Sequence, residues 1–113
     1  ISLGLVGSEM CIETALKVDD GIEPENKALI YNALGYAYFA QEQYDLAIRN
    51  YKEATKLYPE YVTALNNLGN VYEKKQMVAK SVETYEQALK VDPKNNIAKR
   101  RSESLRKRLI ESN

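Results

Sequence analysis

The side chains that carry most enzyme and metal chemistry are nearly missing from this chain. It has no histidine, the commonest general base and zinc ligand, and one cysteine, Cys11, with no second thiol to chelate a metal or close an intrachain disulfide. Cys11 stands beside Ile12 and Ala15 on an amphipathic stretch, where a small buried side chain is a plainer reading than a reactive thiol. Gly4 and Gly7 lack the spacing and the following Lys-Ser/Thr of a phosphate loop. The many carboxylates sit next to lysines in the manner of solvated helix faces. No catalytic, cofactor-binding or metal-ligating residue is therefore assigned, and an enzyme is not expected.

What remains is the chemistry of recognition. Asn32, Asn66, Asn67 and Asn70 each bring a carboxamide, a donor and an acceptor together, which suits pairing with the amide groups of an extended or helical peptide. Tyr36 and Phe39 are aromatic residues of the kind that anchor a partner. Arg100 and Arg101 present forked guanidinium donors suited to a carboxylate or an acidic segment. Each group also has a structural reading: the amides keep an exposed helix face wet, the two rings pack against the N-terminal part of the chain, and the arginines solvate a terminal helix.

Recognition needs these groups on one surface, and repetition supplies it. Slid by 34 positions, the chain falls on itself: Leu34-Gly35-Tyr36-Ala37-Tyr38 on Leu68-Gly69-Asn70-Val71-Tyr72, Tyr51-Lys52-Glu53-Ala54 on Tyr85-Glu86-Gln87-Ala88, and Pro59 on Pro93. Within each copy, apolar residues recur at three- and four-residue spacing in two runs, Leu29 to Ala40 and Tyr44 to Leu57 in the first, which marks a pair of amphipathic helices. The second run halts at Tyr58-Pro59 because proline disfavours helix in the residue before it. Gly35, Gly69, Ala47 and Ser81 are small enough for close helix approach, and Tyr38, Tyr51, Tyr72 and Tyr85 fill the wider gaps.

This pattern of Leu-Gly-x-x-Tyr, a small residue, an aromatic, Ala and a closing Pro at 34-residue spacing resembles the tetratricopeptide repeat (TPR). The resemblance implies an all-α fold: a right-handed superhelix of antiparallel helix pairs, about six helices, closed by a capping helix. The expected division of the single module 1–113 is an N-terminal half-repeat at 8–19, full repeats at 28–61 and 62–95, and the cap at 96–112. Helices are expected near 8–19, 28–41, 44–57, 62–75, 78–91 and 95–111, with Asp20 to Glu25 as an unusually long linker. In the last segment Lys99, Glu103 and Arg106 replace the pattern residues, which reads as a polar end to the stack.

In TPR proteins the first helix of each pair lines a concave groove. The resemblance thereby places Asn32, Tyr36, Phe39, Asn66, Asn67, Asn70, Arg100 and Arg101 on the partner-binding surface and implies a non-catalytic adaptor for another protein. Some TPR proteins grip chaperone tails with a Lys, Asn, Asn, Lys, Arg clamp, whose sites here hold Asn32, Tyr36, Asn67, Ile97 and Arg101. Both lysines are missing, so a chaperone tail is not the expected ligand.

Charge narrows the partner further. The chain is neutral, with 16 basic and 16 acidic residues, so nothing global draws it to nucleic acid or an anionic membrane. Glu9, Glu13, Asp19, Asp20, Glu23 and Glu25 make one end acidic, while Lys94, Lys99, Arg100, Arg101, Arg106, Lys107 and Arg108 make the other basic. An acidic partner segment is one expectation. Self-association, acidic end on basic end, is the alternative function. The basic residues form no extended stripe, which argues against nucleic acid.

The chain opens on Ile1 with no initiator methionine and is expected to be part of something longer. From Glu23 onward, Glu23-Pro24-Glu25-Asn26, Ala28 to Gly35, Glu73-Lys74-Lys75, Ala98 to Arg101 and Leu105 to Arg108 resemble the thylakoid TPR proteins that assist photosystem I assembly in cyanobacteria and plastids. That resemblance implies a stromal or cytoplasmic module in a reducing compartment, tied to a membrane only through a segment outside this chain.

Overall fold

The computed structural model describes residues 21–112. Among them are five helices and no strand: α1 (Pro24–Ala40), α2 (Tyr44–Leu57), α3 (Val62–Lys74), α4 (Val78–Val91) and α5 (Asn96–Glu111). The expected helix at 8–19, the half-repeat it belongs to, and Cys11, Gly4 and Gly7 lie outside the described residues. Each helix packs on the next, and α1 also reaches α3. None of the five is long and apolar enough to cross a membrane.

The first helix begins at Pro24 and not near Ala28, so the expected long linker is shortened by the helix itself. The reason is local: proline at the first helical position has no N–H to leave unbonded and a φ already set for helix, and Glu25 places a carboxylate on the positive end of the helix dipole.

Both helical pairs turn in the same way. After α1, Glu42 N–H donates to the Phe39 carbonyl at 2.9 Å and Gln43 N–H to the Tyr38 carbonyl at 2.9 Å; after α3, Gln76 N–H reaches the Glu73 carbonyl at 2.9 Å and Met77 N–H the Tyr72 carbonyl at 2.8 Å. These are Schellman closures, which need a left-handed residue, and here Glu42 (φ 60°) and Gln76 (φ 62°) take a conformation that glycine usually supplies. The two stand 34 positions apart, so the turn repeats with the sequence.

The core follows the same period. Tyr51, Ala54 and Ala64 are buried, as are Tyr85, Ala88 and Ala98, 34 positions on. Tyr51 lies in one cluster with Tyr38, Ala47, Leu68, Val71 and Tyr72, bridging three helices; Tyr85 lies in the next with Leu65, Val82 and Leu105. The glycines are small for a reason that can be measured: a Cβ on Gly35 would sit 2.6 Å from Tyr51 Cδ1, and one on Gly69 2.8 Å from Tyr85 Cε1. In the second pair Ser81, fully buried, donates its hydroxyl to the Gly69 carbonyl at 2.7 Å. The last helix ends the stack, capped by Asn95, whose carboxamide oxygen accepts from Ala98 N–H at 3.2 Å.

Candidate functional site

Residues that share a helical face recur every three or four positions, and α1, α3 and α5 each present such a face on the same side of the stack. Three hydrogen bonds between them fix that alignment. Asn67 Nδ2 donates to Asn32 Oδ1 at 3.0 Å, from α3 to α1. Arg101 donates to both carboxylate oxygens of Glu73 at 3.2 Å, from α5 to α3. Glu73 also accepts from the Tyr85 hydroxyl at 2.8 Å, which ties the face to α4.

The asparagines divide into two kinds. Asn32 donates to the Tyr61 hydroxyl at 3.2 Å, and Asn66 accepts from Asn95 Nδ2 at 2.9 Å, each partner 29 residues further on. Position for position these are the same clasp in successive repeats, joining the start of one helical pair to the start of the next. Asn32, Asn66 and Asn67 are thus already paired, though each carboxamide keeps a further donor or acceptor. Asn70 carries no side-chain hydrogen bond within the described residues and is half-buried, so its whole carboxamide is available.

The aromatic pair also divides. Tyr36 is 65% exposed, and Leu29, two turns before it, 51%. Ala33 and Ala40 on the same face are exposed too. Apolar residues therefore run round α1, for its other side buries Ala28, Leu34 and Tyr38. Phe39 instead turns toward the helical hairpin, its ring 5.6 Å from that of Tyr44, half-buried against the core. Nothing in the sequence separates Tyr36 from Phe39; the difference arises from the position of Tyr44 just past the turn.

Arg100 and Arg101 are both exposed. With Ser104, Arg108 and Glu73 they line an open cavity of about 310 Å³ at the far end of the face. Three guanidinium groups against one carboxylate leave it net positive, and the carboxylate is already held by Tyr85 and Arg101. Arg108 was absent from the sequence-derived set; it lies two turns beyond Arg101 on the same side of α5, a spacing that would have found it.

No group of histidine, cysteine and carboxylate side chains among the described residues is arranged to hold a metal ion. The displaced acid–base equilibria belong to structural groups. Burial foremost raises the phenols of Tyr51 and Tyr85, the latter helped by its bond to Glu73. The arrangement offers apolar, amide and cationic contacts in sequence along a single face.

Comparison with known proteins places the chain. Two family models match, one described as TPR repeat over residues 35–76 and one as tetratricopeptide repeat over residues 62–95. The chain is 38% identical over 98 residues to the tetratricopeptide repeat domain-containing protein PYG7, chloroplastic, of Arabidopsis thaliana, covering 87% of this chain and 32% of that one. It is 42% identical over 80 residues to the uncharacterized protein ycf37 of Cyanophora paradoxa, covering 71% and 46%. It thus spans less than half the length of these relatives. Among solved structures it is similar to the Arabidopsis OM64 TPR domain, with a TM-score of 0.73 at 22% identity over 78% of this chain and 73% of that one. The second TPR domain of human RPAP3, in complex with an HSP70 peptide, gives 0.73 at 18% identity over 87% and 78%. At such identity these structures speak for the fold. Matching family models, plastid relatives and an all-helical repeat architecture agree: the chain belongs to the tetratricopeptide-repeat family.

Proposed function

We propose that this module is a non-catalytic adaptor that holds a segment of another protein along the concave face of α1, α3 and α5. The observation that carries the proposal is the exposed apolar side of α1. Leu29 and Tyr36 stand open to water on a helix whose opposite side is already buried, and a helix that is apolar all round is stable in water only when something covers it. Asn67 and Asn70 then offer amide contacts to the segment's backbone, and Arg100, Arg101 and Arg108 give its far end a positive seat. The RPAP3 domain with its bound peptide supports a protein segment as the class of ligand.

Kinship with a chloroplast TPR protein supports a role in the plastid, and the resemblance of the segments from Glu23 to Arg108 to thylakoid TPR proteins supports an assembly factor for photosystem I. In that role the groove receives a subunit or a fellow assembly protein. The test is a binding titration of the co-purified partner against wild type and a Tyr36→Ala, Asn70→Ala double variant. Neither side chain makes a hydrogen bond or ion pair among the described residues, so the fold should be retained and the expected loss of affinity is more than tenfold. Equal affinity for the two proteins rejects the groove. Asn66→Ala is the poorer choice, because it also opens the clasp to Asn95.

A further inference from the structure

The side of α3 turned away from the asparagines carries a second feature. Leu68 and Tyr72 lie about 200° round the helix from Asn66 and Asn70, and they floor an open cavity of about 340 Å³ between α2 and α4. Its rim holds Lys52 and Lys56 from α2 and Lys80 and Glu83 from α4. Three ammonium groups against one carboxylate leave it with two net positive charges. None of the three lysines has an ion-pair partner among the described residues; Lys80 Nζ rests 5.9 Å above the ring of Tyr72.

The repeat provides an internal comparison. One period further on, Glu86 stands where Lys52 does, Ser102 for Leu68 and Arg106 for Tyr72. That second cleft, about 310 Å³, neutralises itself, since Arg106 Nε donates to Glu86 at 3.1 Å. The first cleft leaves its cations unspent, and it has in α4 a further wall, carrying Lys80 and Glu83, that the second lacks. Its threonine hydroxyls are already engaged: Thr84 gives its proton to the Lys80 carbonyl at 2.8 Å and Thr55 to that of Lys52 at 3.0 Å.

We infer that the cleft between α2 and α4 is a binding site for a phosphate monoester dianion, held by Lys52, Lys56 and Lys80 over the apolar floor of Leu68 and Tyr72. The charge of the rim matches a dianion better than a single carboxylate, lysine binds phosphate as a mobile point charge, and the volume is at the small end of ligand sites. The site is on the opposite side of α3 from the proposed groove, so it can be filled while a protein segment is held.

Amide NMR of the chain titrated with inorganic phosphate and with phenyl phosphate, at low ionic strength, tests the site. Saturable shifts are expected at Lys52, Thr55, Lys80 and Thr84. Tighter binding of phenyl phosphate identifies an ester whose body uses the Leu68–Tyr72 floor; equal binding identifies the free anion. Removal of each lysine should weaken affinity at least about fivefold, the Coulomb energy of a single pair of unit charges about 4 Å apart in water, so a Lys52→Ala, Lys80→Ala double variant should lose at least about 25-fold. Lys56→Glu is a second variant, expected to lose at least as much as one neutral substitution. Shifts that fail to saturate, that persist undiminished in these variants, or that centre on the arginines of α5 overturn the assignment.

Discussion

Alanine at Gly35 should destabilise the module even though alanine is the better helix former. A Cβ there would stand 2.6 Å from both Cδ1 and Cε1 of Tyr51 and 3.0 Å from Cγ. The ring cannot retreat readily, because Tyr51 is 1% exposed and packed among Tyr38, Ala47 and Leu68. Helix propensity favours the substitution by about 1 kcal/mol, and overpacking of a filled core costs about 1–3 kcal/mol. The contact is with the stiff middle of a ring and not with a flexible tip, so the upper part of that range applies and the net loss is about 1–2 kcal/mol. For a domain of this size that lowers the melting midpoint by about 5–15 °C. Thermal unfolding followed by circular dichroism measures it. In a Tyr51→Leu background the same Gly35→Ala change should be milder by at least about 1 kcal/mol, which a double-mutant cycle reads directly. A Gly35→Ala protein that melts at or above wild type would refute the reasoning, for the ring would then have room to move.

Other outcomes follow from the turns and the buried phenols. Gln76 holds a left-handed conformation, so Gln76→Gly should raise the melting midpoint by a few degrees and Gln76→Val should lower it; equal midpoints for the two would remove the strain argument. Tyr51 and Tyr85 have phenols raised above their ordinary value of 10.0, chiefly by burial. On unfolding they release protons more easily, so their contribution to stability is intact below about pH 10 and declines as pH rises beyond it. Denaturant midpoints at about pH 8 and about pH 11 should show the decline, and Tyr85→Phe should reduce it; an unchanged drop in that variant would assign the effect elsewhere.

The helices that form the frame were legible because one period governs backbone, core and turn alike. Gly35 and Tyr51 stand in register with Gly69 and Tyr85, and the contact each glycine permits could be anticipated from residue size alone. The start of α1 was less visible, since counting from the repeat register placed it near Ala28 while Pro24 and Glu25 start a helix by purely local means. The amide row was legible as a surface but not as a network. Whether Asn32 reaches Tyr61, or Asn66 reaches Asn95, depends on how one helical pair is rotated against the next, and that is a tertiary quantity with no local signature. The same holds for Phe39, which the sequence groups with Tyr36 and which the turn delivers to Tyr44. Arg108 and the lysine cleft between α2 and α4 were encoded at helical spacing, yet only the stack brings their cations together.

The central claim is that α1, α3 and α5 form the face on which another protein lies. The most direct measurement places a photo-crosslinking residue at Tyr36, at Asn70 and, as the reference on α4, at Lys90 of the protein, and identifies what each captures. The account expects one polypeptide joined through Tyr36 and Asn70 and absent from Lys90. Capture through Lys90 with nothing at Tyr36 or Asn70 would contradict it.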